Sequence, residues 1–105
     1  MNIVLACAAG ASTSMLEDKM LKEAAKRGID LKIRAYSYLS LTDKIVDPAD
    51  VILLGPQLRF CEAEVRKKFP GKSSVTAVIE SRDYGMMEAA KILNMAIWLM
   101  ENNKE

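Results

Sequence analysis

Histidine is absent from this sequence, and no other gap removes as much chemistry. A cysteine–histidine or serine–histidine nucleophile has no base here, and zinc sites built on imidazole are excluded. Cysteine is scarce: Cys7 and Cys61 are too few for a disulfide framework and too distant for an all-cysteine metal site, so a reducing compartment is expected. A charge of one sign is lacking as well, 15 basic residues standing against 14 acidic, which leaves no field for nucleic acid or an anionic membrane. A membrane span needs about 20 apolar residues in a row, whereas the apolar stretch near the C-terminus is broken at Lys91 and Asn94. The opening Met1-Asn2-Ile3-Val4-Leu5-Ala6-Cys7 has no basic n-region and reads as a core strand, not a signal peptide. A soluble, cytoplasmic protein without metal or cofactor is the expectation.

What is present is an ordinary globular composition, 50% hydrophobic and 28% charged, which argues against disorder. A length of 105 residues gives room for one domain and one core, and the ends suit a free-standing protein. The runs Ile3–Ala6, Val51–Leu54 and Val75–Ile79 are short and continuously apolar, as strands covered on both faces are. Leu31–Tyr36 alternates apolar with polar, as a half-exposed edge strand does.

Helical spacing fills the intervals. Ser14 and Glu17 have the form of a capping box, after which Leu16, Met20, Leu21, Ala24 and Ala25 share a face and Gly28 stops the helix. A weaker helix is expected over about 39–46. Leu58, Cys61, Val65 and Phe69 define another, ended by Pro70-Gly71, and Cys61 on its apolar stripe reads as core packing. The last helix is expected to start near Gly85, with Met86, Ala89, Ala90, Leu93, Ala96, Ile97 and Met100 as its apolar stripe. Arg66, Lys67, Lys68 and Lys72 read as a solvated helix end. The order β-α-β-α-β-α-β-α predicts an α/β domain over 1–105: a single open four-stranded parallel sheet with helices on both faces.

Such sheets bind ligands beyond the carboxyl ends of their strands. That rule selects the segment after Cys7, Gly55-Pro56-Gln57, and the loop Glu80-Ser81-Arg82-Asp83-Tyr84. The first segment, Ala8-Ala9-Gly10-Ala11-Ser12-Thr13-Ser14, holds only small or hydroxylated residues, so its backbone amides can converge on an anion. The helix that follows adds free N–H groups and the positive end of its dipole. A helix N-terminus also favours a thiolate placed at it, and the thiolate is the nucleophile. The expected result is a phosphate cradle whose rim holds the Cys7 thiol. Gln57 and Tyr84 are possible rim donors. A carboxylate beside the thiol would oppose its ionisation, so Glu80 is expected to point away or to pair with Arg82.

A cysteine loop of this kind suggests low-molecular-weight tyrosine phosphatases, whose fold the expected architecture also resembles. Those enzymes carry Cys-x-x-x-x-x-Arg-Ser/Thr, the arginine gripping phosphate with two hydrogen bonds. Thr13 stands at the arginine position, so the clamp is missing, although Asp83 remains available as a general acid. No Gly-Lys-Ser/Thr follows for a nucleotide loop, and Cys7-Ala8-Ala9-Gly10 has one thiol where thioredoxin-like chemistry needs two.

The stretch from Ile3 through Cys7 to Ser14, together with Val51-Ile52-Leu53-Leu54-Gly55-Pro56-Gln57 and Asp83-Tyr84-Gly85, resembles the IIB components of bacterial sugar phosphotransferase systems of the lactose/cellobiose type. The resemblance implies that Cys7 accepts a phosphoryl group from a phosphohistidine on a IIA partner. Ala8, Ala9, Gly10, Ala11, Ser12, Thr13, Ser14 and Met15 would then cradle it. The group passes to a sugar held by a membrane IIC partner, at the inner face of the membrane, and the histidine missing here sits on IIA. A monomer is expected in isolation. Docking candidates on the Cys7 face are Met15, Leu58 or Phe60, and Met86 or Met87, of which Leu58 and Met86 read more readily as core; Trp98 lies on the polar side of its helix. A small cysteine phosphatase, or a regulatory domain that copies this fold without catalysis, are the alternatives.

Thr13 also suggests why a carrier lacks the phosphatase arginine: a fixed cation would hold the phosphoryl group too firmly or stabilise attack by water. Thr13→Arg is therefore expected to slow sugar phosphorylation or shorten the life of the phosphocysteine. Transfer and lifetime both equal to wild type, followed by intact mass, would refute this.

Overall fold

The computed structural model describes residues 1–8 and 13–103. Four parallel strands, β1 (Asn2–Cys7), β2 (Lys32–Ser37), β3 (Val51–Leu54) and β4 (Thr76–Val78), form one sheet in the order β2-β1-β3-β4. β1 pairs with β2 from Asn2↔Lys32 to Cys7↔Ser37 and with β3 from Ile3↔Val51 to Ala6↔Leu54. Helices α1 (Thr13–Lys26), α2 (Asp43–Val46), α3 (Glu62–Lys68), α4 (Ser81–Gly85) and α5 (Ala89–Asn102) connect and cover the strands. The expected α/β architecture is found.

The period of two along β1 divides the core. Ile3 and Leu5 face Leu16, Met20 and Ala24 of α1 and Ile92, Leu93, Ala96 and Leu99 of α5. Val4 and Ala6 face Val46 of α2, Val65 of α3, Leu58 and Phe69. Both faces of the strand are thus dry, as its unbroken apolar sequence requires.

Several local expectations change. Thr13 is already helical, so a cap for α1 falls outside the described residues, and the Glu17 carboxylate instead accepts from the Ala35 N–H at 2.8 Å. β2 is an edge strand, and this carboxylate occupies an outward-facing donor that no neighbouring strand can take. Leu21 and Ala25 are exposed, so the buried face of α1 is narrower than its spacing suggested. The segment expected as one helix over about 39–46 is a 3-10 turn, Tyr38–Ser40, followed by the short α2. A 3-10 turn at Pro56–Cys61 precedes α3, and another at Pro70–Val75 follows it.

The basic cluster is not simply solvated. Arg66 donates to the carbonyls of Ser73 and, at 2.6 Å, Thr76, while its Nη2 also meets Glu62 at 2.7 Å. Lys72 Nζ donates to Ala49 O at 2.7 Å. These carbonyls lie in turns and at the start of an edge strand; the Ser73 carbonyl also accepts from the Thr76 N–H, so there Arg66 adds a second donor. Lys67 and Lys68 are exposed as expected.

The last helix begins at Ala89 rather than near Gly85, because Met87 adopts φ 51°. Its N–H bonds Tyr84 O at 3.1 Å and the Glu88 N–H bonds Asp83 O at 2.8 Å. This is the closing pattern of a Schellman turn, which ends α4. Met86 therefore leaves the apolar stripe and is 63% exposed, while Ile92 and Leu99 join the buried face with Leu93 and Ala96. The same bond pattern ends α1: Gly28, at φ 70°, bonds Ala25 O at 3.1 Å and Ile29 bonds Ala24 O at 2.9 Å. There glycine carries the left-handed residue without a Cβ penalty.

That contrast gives a stability prediction. Gly28→Ala meets no steric neighbour within 4 Å but must hold φ 70°, so it should cost about 1 kcal/mol. Gly71→Ala, equally unobstructed and without positive φ, should stay within about 0.5 kcal/mol of wild type. Urea unfolding of the two variants checks the difference.

Candidate functional site

β1 is an interior strand of the sheet, and its last residue is Cys7. The chain leaves the sheet at Ala8, which is exposed, and α1 begins at Thr13. The cysteine therefore sits where an interior parallel strand turns into a helix, at the end of the sheet where ligands bind in such folds. Cys7 itself is buried, 2% exposed, and its thiol donates to Tyr36 O at a sulfur–oxygen distance of 3.6 Å. The expected rim position is corrected to this extent: the thiol is turned in against the neighbouring strand. Of the cradle residues named from sequence, Ala9, Gly10, Ala11 and Ser12 lie outside the described residues. The backbones of Thr13 and Ser14 form the first turn of α1, and Met15 is 57% exposed.

The turn after β3 supports the same end of the sheet. Gly55 N–H bonds Ala6 O at 2.9 Å, tying the turn to β1 one residue before Cys7. A Cβ at Gly55 would lie 2.6 Å from Gln57 Oε1, so the Gln57 amide folds back across this glycine. Gly55 has φ −59° and ψ 154°, open to any residue; what a larger residue would meet is the movable end of the Gln57 side chain and not a forbidden backbone angle.

Beside it, an open cleft of about 650 Å³ runs between the turn after β3 and α4, lined among others by Gln57, Phe60, Ser81 and Tyr84. Gln57 and Tyr84, the two rim candidates, are thereby brought together. A smaller hollow of about 400 Å³, with Lys32, Arg34 and Pro48 in its wall, lies along edge strand β2 away from the cysteine. The expected loop over 80–84 is mostly the short helix α4. Glu80 is exposed, and no ion pair joins it to Arg82 among the described residues.

Cys61 packs half-buried against the second core cluster, as its helical spacing suggested, beside Tyr38. A hydrogen bond to the Glu64 carboxylate holds the Tyr38 phenol above its ordinary pKa, with desolvation adding to the effect. Leu39, the next residue, is 89% exposed in a 3-10 turn where a helix over about 39–46 is expected from the sequence. No cluster of metal-ligating side chains occurs among the described residues, and no helix there is long and apolar enough to cross a membrane.

A cysteine that ends an interior strand of an open parallel α/β sheet, with a helix N-terminus a few residues further along the chain, is an arrangement that can hold an anion. The fold matches a low-molecular-weight protein tyrosine phosphatase from Bacillus subtilis with a TM-score of 0.67 over the whole of both chains, at 12% identity, a likeness of fold alone. Residues 2–95 match the model of the family described as PTS system, Lactose/Cellobiose specific IIB subunit. The chain is 44% identical over 102 residues, 93% of its length and 94% of the relative's, to the PTS system galactose-specific EIIB component of Lactococcus lactis subsp. cremoris. It superimposes on a cellobiose-specific phosphotransferase IIB component from Borrelia burgdorferi with a TM-score of 0.81 and 37% identity, covering 100% of this chain and 95% of the other. The chain belongs to the lactose/cellobiose-specific IIB family, and its function is that of a IIB component of a sugar phosphotransferase system.

The contact between Gly55 and Gln57 is open to a double-mutant cycle. Gly55→Ala should cost stability in the wild-type background, because the new methyl must push the Gln57 amide aside. In a Gln57→Ala background the cost should vanish, giving a coupling of about 0.5 kcal/mol or more. Equal costs in both backgrounds, measured by urea unfolding, would show that Gln57 does not lie over Gly55.

Proposed function

We propose that Cys7 is the residue on which this IIB component carries the phosphoryl group, with the segment 8–15 and the start of α1 cradling it. The observation that carries the reading is the place of Cys7: it ends an interior strand of the sheet, just before the N-terminus of α1, in a chain of the IIB family. Transfer begins with loss of the thiol proton, which also breaks the weak bond to Tyr36 O. The thiolate Sγ attacks phosphorus on the partner's phosphohistidine. A sulfur–phosphorus bond forms, the nitrogen–phosphorus bond breaks, and the histidine nitrogen leaves with the electron pair and is protonated. Backbone N–H groups of the turn and of α1 then face the phosphoryl oxygens. In the second step a hydroxyl oxygen of the sugar held by IIC attacks phosphorus, and Cys7 departs as thiolate. Gln57 and Tyr84 stand at the rim as hydrogen-bonding groups for the transferring oxygens.

The chain acts in the cytoplasm, as a monomer between encounters, and reaches the membrane only through IIC. The sugar is of the kind for which its relatives are named, galactose or cellobiose.

Incubation with phosphoenolpyruvate, the general phosphotransferase proteins and a lactose/cellobiose-type IIA should add one phosphoryl group to the wild-type chain, read by intact mass. Cys7→Ser should add none under the same conditions, and Cys61→Ser should behave as wild type. A Cys7→Ser chain that still accepts phosphate from IIA with unchanged kinetics would remove Cys7 from the mechanism.

A further inference from the structure

Six large apolar side chains stand exposed among the described residues: Met15, Leu21, Leu39, Phe60, Met86 and Trp98. Four of them follow one rule. Leu39 lies in the turn directly after β2, Met15 in the first turn of α1 after β1, Phe60 in the turn after β3, and Met86 behind α4 after β4. Each strand of the sheet thus delivers one exposed apolar residue beyond its carboxyl end. In sheet order they run Leu39, Met15, Phe60, Met86, so Cys7 lies on the same edge, on the strand between those of Leu39 and Phe60. With neighbouring strands about 4.8 Å apart, β2 to β4 spans about 14 Å, the width of a small protein contact.

Two of the four are exposed by specific local devices. The Met87 turn, with φ 51° on a residue other than glycine, takes Met86 off the helical stripe that would bury it, while Met87 itself packs on the core. A left-handed methionine is strained, and such strain is kept where the surrounding structure has a use for it. Phe60 is 85% exposed beside the open cleft, with the Arg59 guanidinium 4.8 Å from its ring centroid. That stack stiffens an aromatic side chain that touches little else, which is how an interface anchor is held ready.

We propose that Leu39, Phe60 and Met86, with Met15 beside the thiol, form the docking stripe for the phosphorylated IIA protein, and that the cleft next to Phe60 receives one of its apolar side chains. The proposal rests on Cys7 being the phosphoryl acceptor. A donor must bring its phosphorus within bonding reach of Sγ, so its surface has to cover this edge of the sheet, and these are the apolar groups it meets. The charged residues in these segments are of both signs, Arg59 after β3 and Glu80, Arg82 and Asp83 after β4, which suits a contact led by apolar anchors inside a polar rim.

Leu39→Ser, Phe60→Ser and Met86→Ala remove exposed side chains, so each variant should fold, which its amide NMR spectrum verifies. The test uses the lactose/cellobiose-type IIA proteins of the same organism, each phosphorylated in turn, and follows initial rates of Cys7 phosphorylation. For the IIA that serves the wild-type chain, each substitution should raise KM about 5- to 30-fold with kcat within about twofold. Trp98→Ala and Leu21→Ala, exposed but off the stripe, should leave both constants unchanged. Unaltered KM in all three stripe variants, with the wild-type chain phosphorylated normally, would overturn the stripe and leave the carrier reading standing. A wild-type chain that none of these donors phosphorylates would overturn the carrier reading, and the stripe with it.

Discussion

The structure depends on β1 being covered on both faces and paired on both sides. Ile3 to Cys7 are all buried, and the strand exchanges backbone hydrogen bonds with β2 and β3 together. A backbone hydrogen bond contributes only about 1 kcal/mol net, but an unmet buried amide costs more than a formed one yields. The strand is therefore held to one register, since a slip by one residue would exchange Ile3 and Leu5 with Val4 and Ala6 between two differently shaped cores. Cys7 inherits that rigidity as the last residue of the ladder. Its partner Ser37 and the Gly55–Ala6 bond close the strand end from both sides, so the thiol is placed by the same forces that place the core.

What the fold does not satisfy by its ladder it satisfies with single side chains. Glu17 occupies an outward N–H of β2, Arg66 gathers the carbonyls of Ser73 and Thr76, and Lys72 meets Ala49 O. None of these pairings has a spacing that reveals it, because they join segments 18, 7, 10 and 23 residues apart through tertiary contact. Thus the four strands, their parallel order and the covering of both faces were legible from apolar runs and helical periods, while the roles of charged residues were not. Periodicity reports which face is buried; it cannot report which buried backbone group lacks a partner.

The same distinction divides the candidate site. Cys7, the Gly55-Pro56-Gln57 turn and Tyr84 were readable because a strand end, a glycine and a turn leave local marks. The failures cluster at Leu39 and Met86. Met86 falls on the apolar spacing of the last helix and Leu39 at the start of a weaker helix expected over about 39–46, and in both cases the chain forms a turn instead: the 3-10 turn Tyr38–Ser40 and the left-handed Met87. Natural sequences break local rules mainly where something other than stability is being selected. Two such departures, each exposing one apolar side chain at the cysteine end of the sheet, are hard to attribute to packing, since packing would have kept both residues inside.

A carrier faces a demand that an enzyme with one substrate does not. On the mechanism proposed above, the Cys7 thiol must be met by a soluble donor and by a membrane-bound acceptor whose surfaces need not resemble each other. Shape-specific anchors would favour one of them, and tight binding to either would stall the cycle, because affinity between related complexes is set largely by dissociation. Methionine answers this better than a branched or rigid residue: it has three rotatable bonds and a polarisable sulfur, and it repacks against different neighbours at small cost. Two of the four exposed residues along the cysteine edge are methionines, flanking a single stacked aromatic. On this reasoning Phe60 supplies the fixed part of recognition, and Met15 and Met86 the part that adapts from one partner to the next.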